Sequence, residues 1–182
     1  MKKFLFVLLA SLLTLNISAQ VNHMKFMGIP ITGKISSFQS QLIQKGFKKT
    51  RNLGETARIY EGYFAGKKAE VFVNFIEKTK IVYRVKVVIG YNTESVLQRE
   101  YEDFADKLKL KYKDGIIEDI EHEGKPAIYI SVYEDDYTRL GSVSLFTHKE
   151  DSFFSPFLYY LHIDYVDAAG SFSSYKNEMD DL

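Results

Sequence analysis

The sequence predicts an α+β protein built from two quasi-repeats, each consisting of one helix followed by an antiparallel meander. Two observations carry this prediction. Short runs that alternate apolar and polar residues are separated by polar turns, as in sheets with one buried face. Two segments with helical spacing of apolar residues interrupt those runs. We expect the two sheets to join and both helices to lie on one face of the joined sheet.

The first half, residues 20–90, is predicted to contain one helix and several strands. Residues 26–31 are predicted as a short strand. The helix at residues 34–48 has Ser36 or Ser37 as its N-cap and Gly46 at its C-terminal end, followed by a contact between Phe47 and Leu42. Strands at residues 57–64, 69–76 and 81–89 follow, separated by polar turns.

The second half, residues 91–166, begins with a longer helix that Asn92 or Thr93 caps. Its apolar stripe runs from Leu97 to Tyr112. Four strands are predicted after it, at residues 116–121, 127–133, 140–148 and 157–166. The polar tail, residues 167–182, is expected to fray.

The order of elements in the two halves indicates an internal repeat. The helix starts at Ser36 and Thr93 have the same spacing as the strand residues Ile59 and Ile116. We therefore equate the strand that contains Ile59 with the strand that contains Ile116.

Composition excludes several classes of function. Lys plus Arg number 24 and Asp plus Glu number 24, so we expect no nucleic-acid partner, which usually requires a clustered positive charge. The chain has no cysteine, which excludes disulfides, thiolate zinc sites and cysteine nucleophiles. Short motifs of hydrolases, metalloproteases and phosphate loops are absent, so we expect no cofactor and favour a non-enzyme.

The first nineteen residues are predicted to be an export signal. Lys2 and Lys3 precede an apolar stretch at residues 4–15 that is too short to span a bilayer, and Ser18 and Ala19 suit a cleavage site. A retained anchor is the alternative. The region lacks the cysteine that bacterial lipoproteins acylate, so we expect a periplasmic or secreted protein that is neither lipid-anchored nor membrane-spanning after cleavage.

Two resemblances support this interpretation. Residues 26–33 (FMGIPITG), together with Phe38, Leu42 and residues 45–47 (KGF), resemble the opening of an uncharacterised group of exported proteins from Bacteroides-like bacteria. The doubled helix-plus-meander architecture is similar to that of the beta-lactamase inhibitor proteins, and a single such unit occurs in small outer-membrane assembly lipoproteins. The resemblance implies an exported protein with a doubled α+β architecture, and it supplies neither catalytic residues nor a residue motif.

Tyrosines on the presumed open face of the sheet are the candidate binding residues. Alternation places Tyr129 and Tyr133 on one face of their strand, and Tyr160 on the same face as His162. Tyrosine offers a large contact area with few rotatable bonds and tolerates water in the free state. We therefore expect a binding surface for a protein or peptide that includes Tyr129, Tyr133, Tyr160 and His162. The alternative is that these tyrosines are ordinary half-buried strand residues.

Histidines and carboxylates supply the rival hypotheses. Glu121, His122 and Glu123 lie in an acidic run that is the weak candidate for a metal, carbohydrate or enzymatic site, although it lacks the spacing of a calcium loop. His162 and Asp164 share a strand face and form a possible acid/base pair. If the last hairpin is centred near Ser152, His148 lies opposite Phe157 and about 17 Å from His162, at about 3.3 Å per residue.

A third hypothesis is a structural component of the cell envelope. Such a component would form oligomers through exposed sheet edges. The sequence does not choose a partner, a ligand or an oligomeric state.

Overall fold

An antiparallel sheet of eight strands, three helices and a small two-stranded sheet make up the computed structural model, which describes residues 22–150 and 156–179. The predicted α+β class is therefore confirmed. The predicted export signal lies outside the described residues. Within the described residues, no helix has the length and apolar character that a membrane span requires.

The elements follow one another along the chain without long connections, apart from the loop after residue 149. Their bounds are β1 Lys25–Phe26, β2 Ile29–Pro30, α1 Ile35–Gln44, β3 Lys48–Leu53, β4 Ala57–Phe64, β5 Lys67–Phe75, β6 Val82–Tyr91, α2 Glu94–Lys111, β7 Ile116–His122, β8 Lys125–Tyr133, β9 Arg139–Lys149, β10 Tyr159–Asp167 and α3 Ala168–Met179.

Two four-stranded meanders join into one sheet with the order β3-β4-β5-β6-β10-β9-β8-β7. The central pair is β6 with β10, where Ile163 lies opposite Val87 and Leu161 opposite Ile89. Both meanders are preceded by a helix, α1 or α2, so the two halves have the same element order. The outermost strands, β3 and β7, are each paired on one side only within the described part of the chain.

Both of these helices lie on the same face of the sheet. Gln39 of α1 accepts a hydrogen bond from the Tyr60 hydroxyl at 3.3 Å, and Phe104 of α2 stacks on Phe64 with ring centroids 6.2 Å apart. Tyr60 and Phe64 share a face of β4 because alternate strand residues point the same way. The core lies between this face and the helices, and the opposite face is called the open face below.

The ends of α1 follow the sequence prediction only at the C-terminus. Gly46 has φ +91°, and the Phe47 N–H donates to the Leu42 carbonyl at 3.1 Å, which is the predicted Schellman ending. At the N-terminus the helix begins at Ile35, and its N-cap is Lys34, which makes no side-chain capping hydrogen bond, instead of the predicted Ser36 or Ser37. Ile35 is buried, so core packing sets the start.

A small hairpin replaces the single strand predicted at residues 26–31. Met27 and Gly28 both have positive φ, at 50° and 84°, which closes a two-residue turn between β1 and β2. The hairpin carries Phe26 into the core, where its ring lies 5.6 Å from Phe64 and 5.5 Å from Tyr165. The hairpin therefore contributes Phe26 to the core lined by β4 and β10.

The strand β3 was not predicted, because every one of its side chains is exposed and no alternation marks it. With β3 present, each half has four strands, and the predicted equivalence of Ile59 with Ile116 is wrong by one strand. Ile59 lies in the second strand of its meander, whereas Ile116 lies in the first.

The tail was predicted to fray, and this is wrong for residues 168–179, which form α3. Asp167, only 1% exposed, anchors its start. The carboxylate accepts hydrogen bonds from the Gly170 N–H and from the Met24 N–H, each at 2.9 Å, and contacts His23 Nδ1 at 3.0 Å. An added Cβ at Gly170 would lie 2.7 Å from the Tyr83 Cβ, so the helix packs closely on β6.

Candidate functional site

The open face carries a contiguous group of aromatic and histidine side chains near one end of the central strands. We call it the aromatic patch and define it by its six members, which come from β7, β9, β10 and the segment before β10: His122, Phe146, His148, Phe157, Tyr160 and His162. Two of the predicted binding residues, Tyr160 and His162, belong to it.

His162 forms the floor of the aromatic patch. Its ring stacks on Phe146 with an interplanar angle of 5° and a centroid distance of 4.9 Å. Both ring nitrogens are inaccessible and make no hydrogen bond within the described residues. Burial, assisted by the positive charge of Lys86, lowers the pKa of His162 from 6.5 to about 3. The imidazole is therefore neutral at physiological pH, and because both ring nitrogens are inaccessible it supports the surface without donating a hydrogen bond to a partner.

His148 and His122 lie at the rim. His148 Nδ1 is 3.0 Å from a Glu123 carboxylate oxygen, an interaction that lowers the pKa of Glu123. The His122 ring lies 4.4 Å from the Phe146 ring. Phe146 is thus held between His122 on one side and His162 on the other.

The predicted separation of His148 and His162 is wrong. His148 lies opposite Tyr160 in the register of β9 and β10, and its ring is 6.2 Å from that of His162. The register of β9 against β10 differs from the predicted one by three residues, since Tyr160 and not Phe157 lies opposite His148. Because this shift is an odd number of residues, His148 shares a face of the sheet with Tyr160 and His162 and not with Phe157 and its alternate residues along β10.

Phe157 closes the patch at the β6 side. Its ring lies directly over Gly90, where an added Cβ would be 2.1 Å from a Phe157 ring carbon. The same ring meets Tyr160 edge to face at 6.2 Å, with an interplanar angle of 90°. Gly90 is therefore needed for the ring to reach the sheet, and Phe157 covers the backbone that glycine leaves open.

The other two predicted tyrosines also lie on the open face, but outside the aromatic patch. Tyr129 lies opposite Ser144, and its hydroxyl accepts a hydrogen bond from Arg139, whose guanidinium carbon is 5.9 Å from the tyrosine ring centroid. Tyr133 is paired with Arg139 after a bulge. Tyr133 and Tyr160 are separated by roughly 25 Å, since about eight residues of 3.3 Å each lie between their rows. Of the four predicted residues, Tyr160 and His162 therefore lie in the aromatic patch, Tyr129 lies at mid-strand opposite Ser144, and Tyr133 lies at the far end of the sheet.

A shallow depression lies beside Tyr133. It has a volume of about 380 Å³ and is lined on one side by Asp135 and Asp136 and on the other by Ile116. Asp135 accepts hydrogen bonds from the backbone N–H groups of Tyr137 and Thr138, which lower the pKa of its carboxyl. These contacts stabilise the turn between β8 and β9.

The acidic run does not converge on one point. Glu121 and His122 are neighbours in β7 and point to opposite faces of the sheet, while Glu123 lies in the following turn with φ 52°. Asp119 pairs with Lys109 of α2 at 3.0 Å. No group of three or more His, Cys, Asp or Glu side chains in the described parts of the chain has a geometry that holds a metal ion.

The proposed acid/base pair of His162 and Asp164 does not form. The Asp164 carboxylate instead accepts hydrogen bonds from Nε and from a terminal nitrogen of Arg84 on the neighbouring strand β6. These hydrogen bonds raise the pKa of Arg84. Arg84 was missed because cross-strand partners cannot be identified before the order of the sheet is known.

Phe146 was also missed in the sequence. The alternation of Ser144, Phe146 and His148 in β9 places all three side chains on one face of the strand, so the sequence did contain this signal.

Comparison of the chain with protein-family models, with curated proteins and with solved structures finds no match in any of the three. The likeness to exported proteins and to the beta-lactamase inhibitor proteins therefore stays a prediction.

Proposed function

We propose that this protein is an exported, non-catalytic binding module and that the aromatic patch engages an apolar or aromatic segment of a protein or peptide. The observation that carries the proposal is the continuity of the patch from β10 through Phe146 of β9 to His122 of β7, on the face that lacks α1 and α2. Exposed aromatic surface of this kind is where proteins concentrate binding energy.

The local construction supports a rigid surface. The Phe146 ring is fixed by rings on both sides, and the Phe157 ring is fixed by Gly90 and Tyr160. Side chains that are already ordered lose little rotamer freedom when a partner binds. The neutral state of His162 leaves the floor of the patch uncharged.

The test uses a display library of short peptides against the immobilised chain, followed by titration of a selected peptide. Tyr160→Ala is expected to weaken its affinity at least about tenfold, which is the usual effect at a central aromatic contact. Tyr137→Ala is the matched control, because Tyr137 is 94% exposed and lies in the turn between β8 and β9, at the end of the sheet that is remote from the patch.

Melting temperatures of both variants are measured in parallel, so that a loss of binding is not confused with unfolding. Equal affinities for Tyr160→Ala and Tyr137→Ala would overturn the proposal. A loss of affinity in Tyr133→Ala but not in Tyr160→Ala would also overturn it, because the binding surface would then lie at the other end of the sheet.

A further inference from the structure

The two edges of the large sheet carry opposite charges. The edge strand β3 has the sequence KKTRNL, with three basic residues and no acidic one. The edge strand β7 has the sequence IIEDIEH, with three acidic residues and neither lysine nor arginine. The two strands lie at the far ends of the strand order, so each copy of the chain presents one basic and one acidic edge.

These edges have the backbone groups that a further strand would need. Within the described residues, neither β3 nor β7 has a strand partner on its outer side. An unpaired edge offers a row of N–H and C=O groups to another strand. Lys109 of α2 pairs with Asp119, and the described residues show no other ion pair that involves a charged residue of β3 or β7.

Apolar side chains at both edges point to the same face. Leu53 of β3 is 53% exposed, and Ile116 and Ile120 of β7 are 57% and 43% exposed. Leu53 lies opposite Ala57 and Ile120 opposite Ala127, which places all three on the open face. Exposed leucine and isoleucine on an edge strand gain most when another strand covers them.

We propose that β3 of one copy of this chain pairs antiparallel with β7 of a second copy, so that the sheet continues from one molecule into the next. In the register that places Leu53 opposite Ile116, Arg51 lies opposite Glu118. The bulge in β3 between Lys49 and Arg51 then brings Lys49 opposite Asp119 on the other face. Opposite charges directly across two strands stabilise the pair, and like charges destabilise it.

The charges also select against other pairings. A contact of β3 with β3 would oppose basic residues, and a contact of β7 with β7 would oppose acidic residues. Lysine on an edge normally prevents association. Here it prevents only the symmetrical contacts and leaves the head-to-tail contact of β3 with β7 favourable.

A head-to-tail contact of this kind generates an open assembly. Eight strands at about 4.8 Å give a rise of about 38 Å per copy. A twist of about 20–25° per strand gives a rotation of roughly 160–200° per copy, so successive copies do not close into a small ring. We therefore expect short filaments whose length grows with protein concentration.

Sedimentation velocity of the signal-free chain, at low and at high salt over a wide range of concentration, tests this proposal. The expected result is a sedimentation coefficient that rises with concentration beyond that of a dimer at low salt and stays at the monomer value at high salt. A monomer at every concentration in low salt would overturn the proposal, and so would a dimer that does not grow further.

Charge reversal identifies the edges. Arg51→Glu and Glu118→Lys are each expected to give a monomer, because each places like charges opposite one another. The double variant Arg51→Glu/Glu118→Lys restores an opposite-charge pair and is expected to recover association. Its recovery would also show that both substitutions are compatible with the folded chain. Lys68→Glu on β5 changes the net charge as Arg51→Glu does, but away from both edges. This variant is expected to associate like the original chain.

Loss of association in Lys68→Glu as well as in Arg51→Glu, or no recovery in the double variant, would overturn the edge assignment. Tyr160→Ala is expected to associate normally. The test is therefore independent of the peptide binding proposed for the aromatic patch.

Discussion

Replacement of His162 by phenylalanine is expected to remove an acid sensitivity from the folding of this protein. The imidazole is buried on the open face against Phe146, and burial is the main cause that lowers its pKa from 6.5 to about 3. The unfolded chain therefore binds a proton at His162 over a pH range in which the folded chain does not. Stability is lost as the pH falls below about 6.5, and the loss is complete only below about 3.

The size of the effect follows from these two pKa values. At about pH 5 the unfolded state has gained most of a proton at His162 and the folded state almost none. Linkage gives a loss of about 2 kcal/mol in the free energy of unfolding relative to about pH 8, and the slope approaches about 1.4 kcal/mol per pH unit below that. Phenylalanine cannot titrate and keeps an aromatic ring against Phe146.

Urea denaturation of the original chain and of His162→Phe at about pH 8 and about pH 5 measures the effect. All other titrating residues are present in both proteins, so the difference between their pH dependences isolates His162. We expect the original chain to lose about 2 kcal/mol more than the variant between the two pH values. Equal losses would refute the reasoning, because His162 would then titrate alike in both states.

Three further predictions concern buried contacts, and each is measured by equilibrium denaturation. Gly62→Ala is expected to cost about 1–3 kcal/mol, since its Cβ would lie 2.4 Å from a ring carbon of Phe47, and the double variant with Phe47→Leu should lose less than the sum of both changes. Asp167→Asn is expected to cost about 2 kcal/mol, because the amide cannot accept at both oxygen positions from two backbone N–H groups, and a near-neutral result would contradict those contacts. Arg84→Met is expected to cost about 2–3 kcal/mol by leaving the buried Asp164 carboxylate unpaired, and Asp164→Asn in the same chain should recover part of that loss.

Local pattern was sufficient for those features that depend on a few neighbouring residues. The Schellman ending at Gly46 was predictable because it needs only a residue that adopts positive φ, followed by an apolar residue. The faces of β5, β6 and β10 were predictable because alternation along one strand does not depend on its partners. Tyr129, Tyr160 and His162 were placed on the open face for that reason.

Features that depend on pairing between distant segments were beyond the sequence. The strand β3 has no buried side chain and is held by its backbone pairing with β4, so no pattern of side chains marks it. The helix α3 has weak amphipathicity, and its position depends on Asp167 and on the close approach of Gly170 to Tyr83. Prediction of β3 and of α3 therefore required the positions of the segments against which they pair or pack.

The sequence by itself therefore determined the fold class, the two main helices and the face to which most strand residues point, because these follow from local periodicity and local conformational preference. Only the tertiary structure decided the register of β9 against β10, which brings His148 beside His162 instead of far along the strand. It also decided that β3 and β7 are the two edges. Register and strand order depend on the summed packing of many distant side chains, and no short stretch of sequence contains that sum.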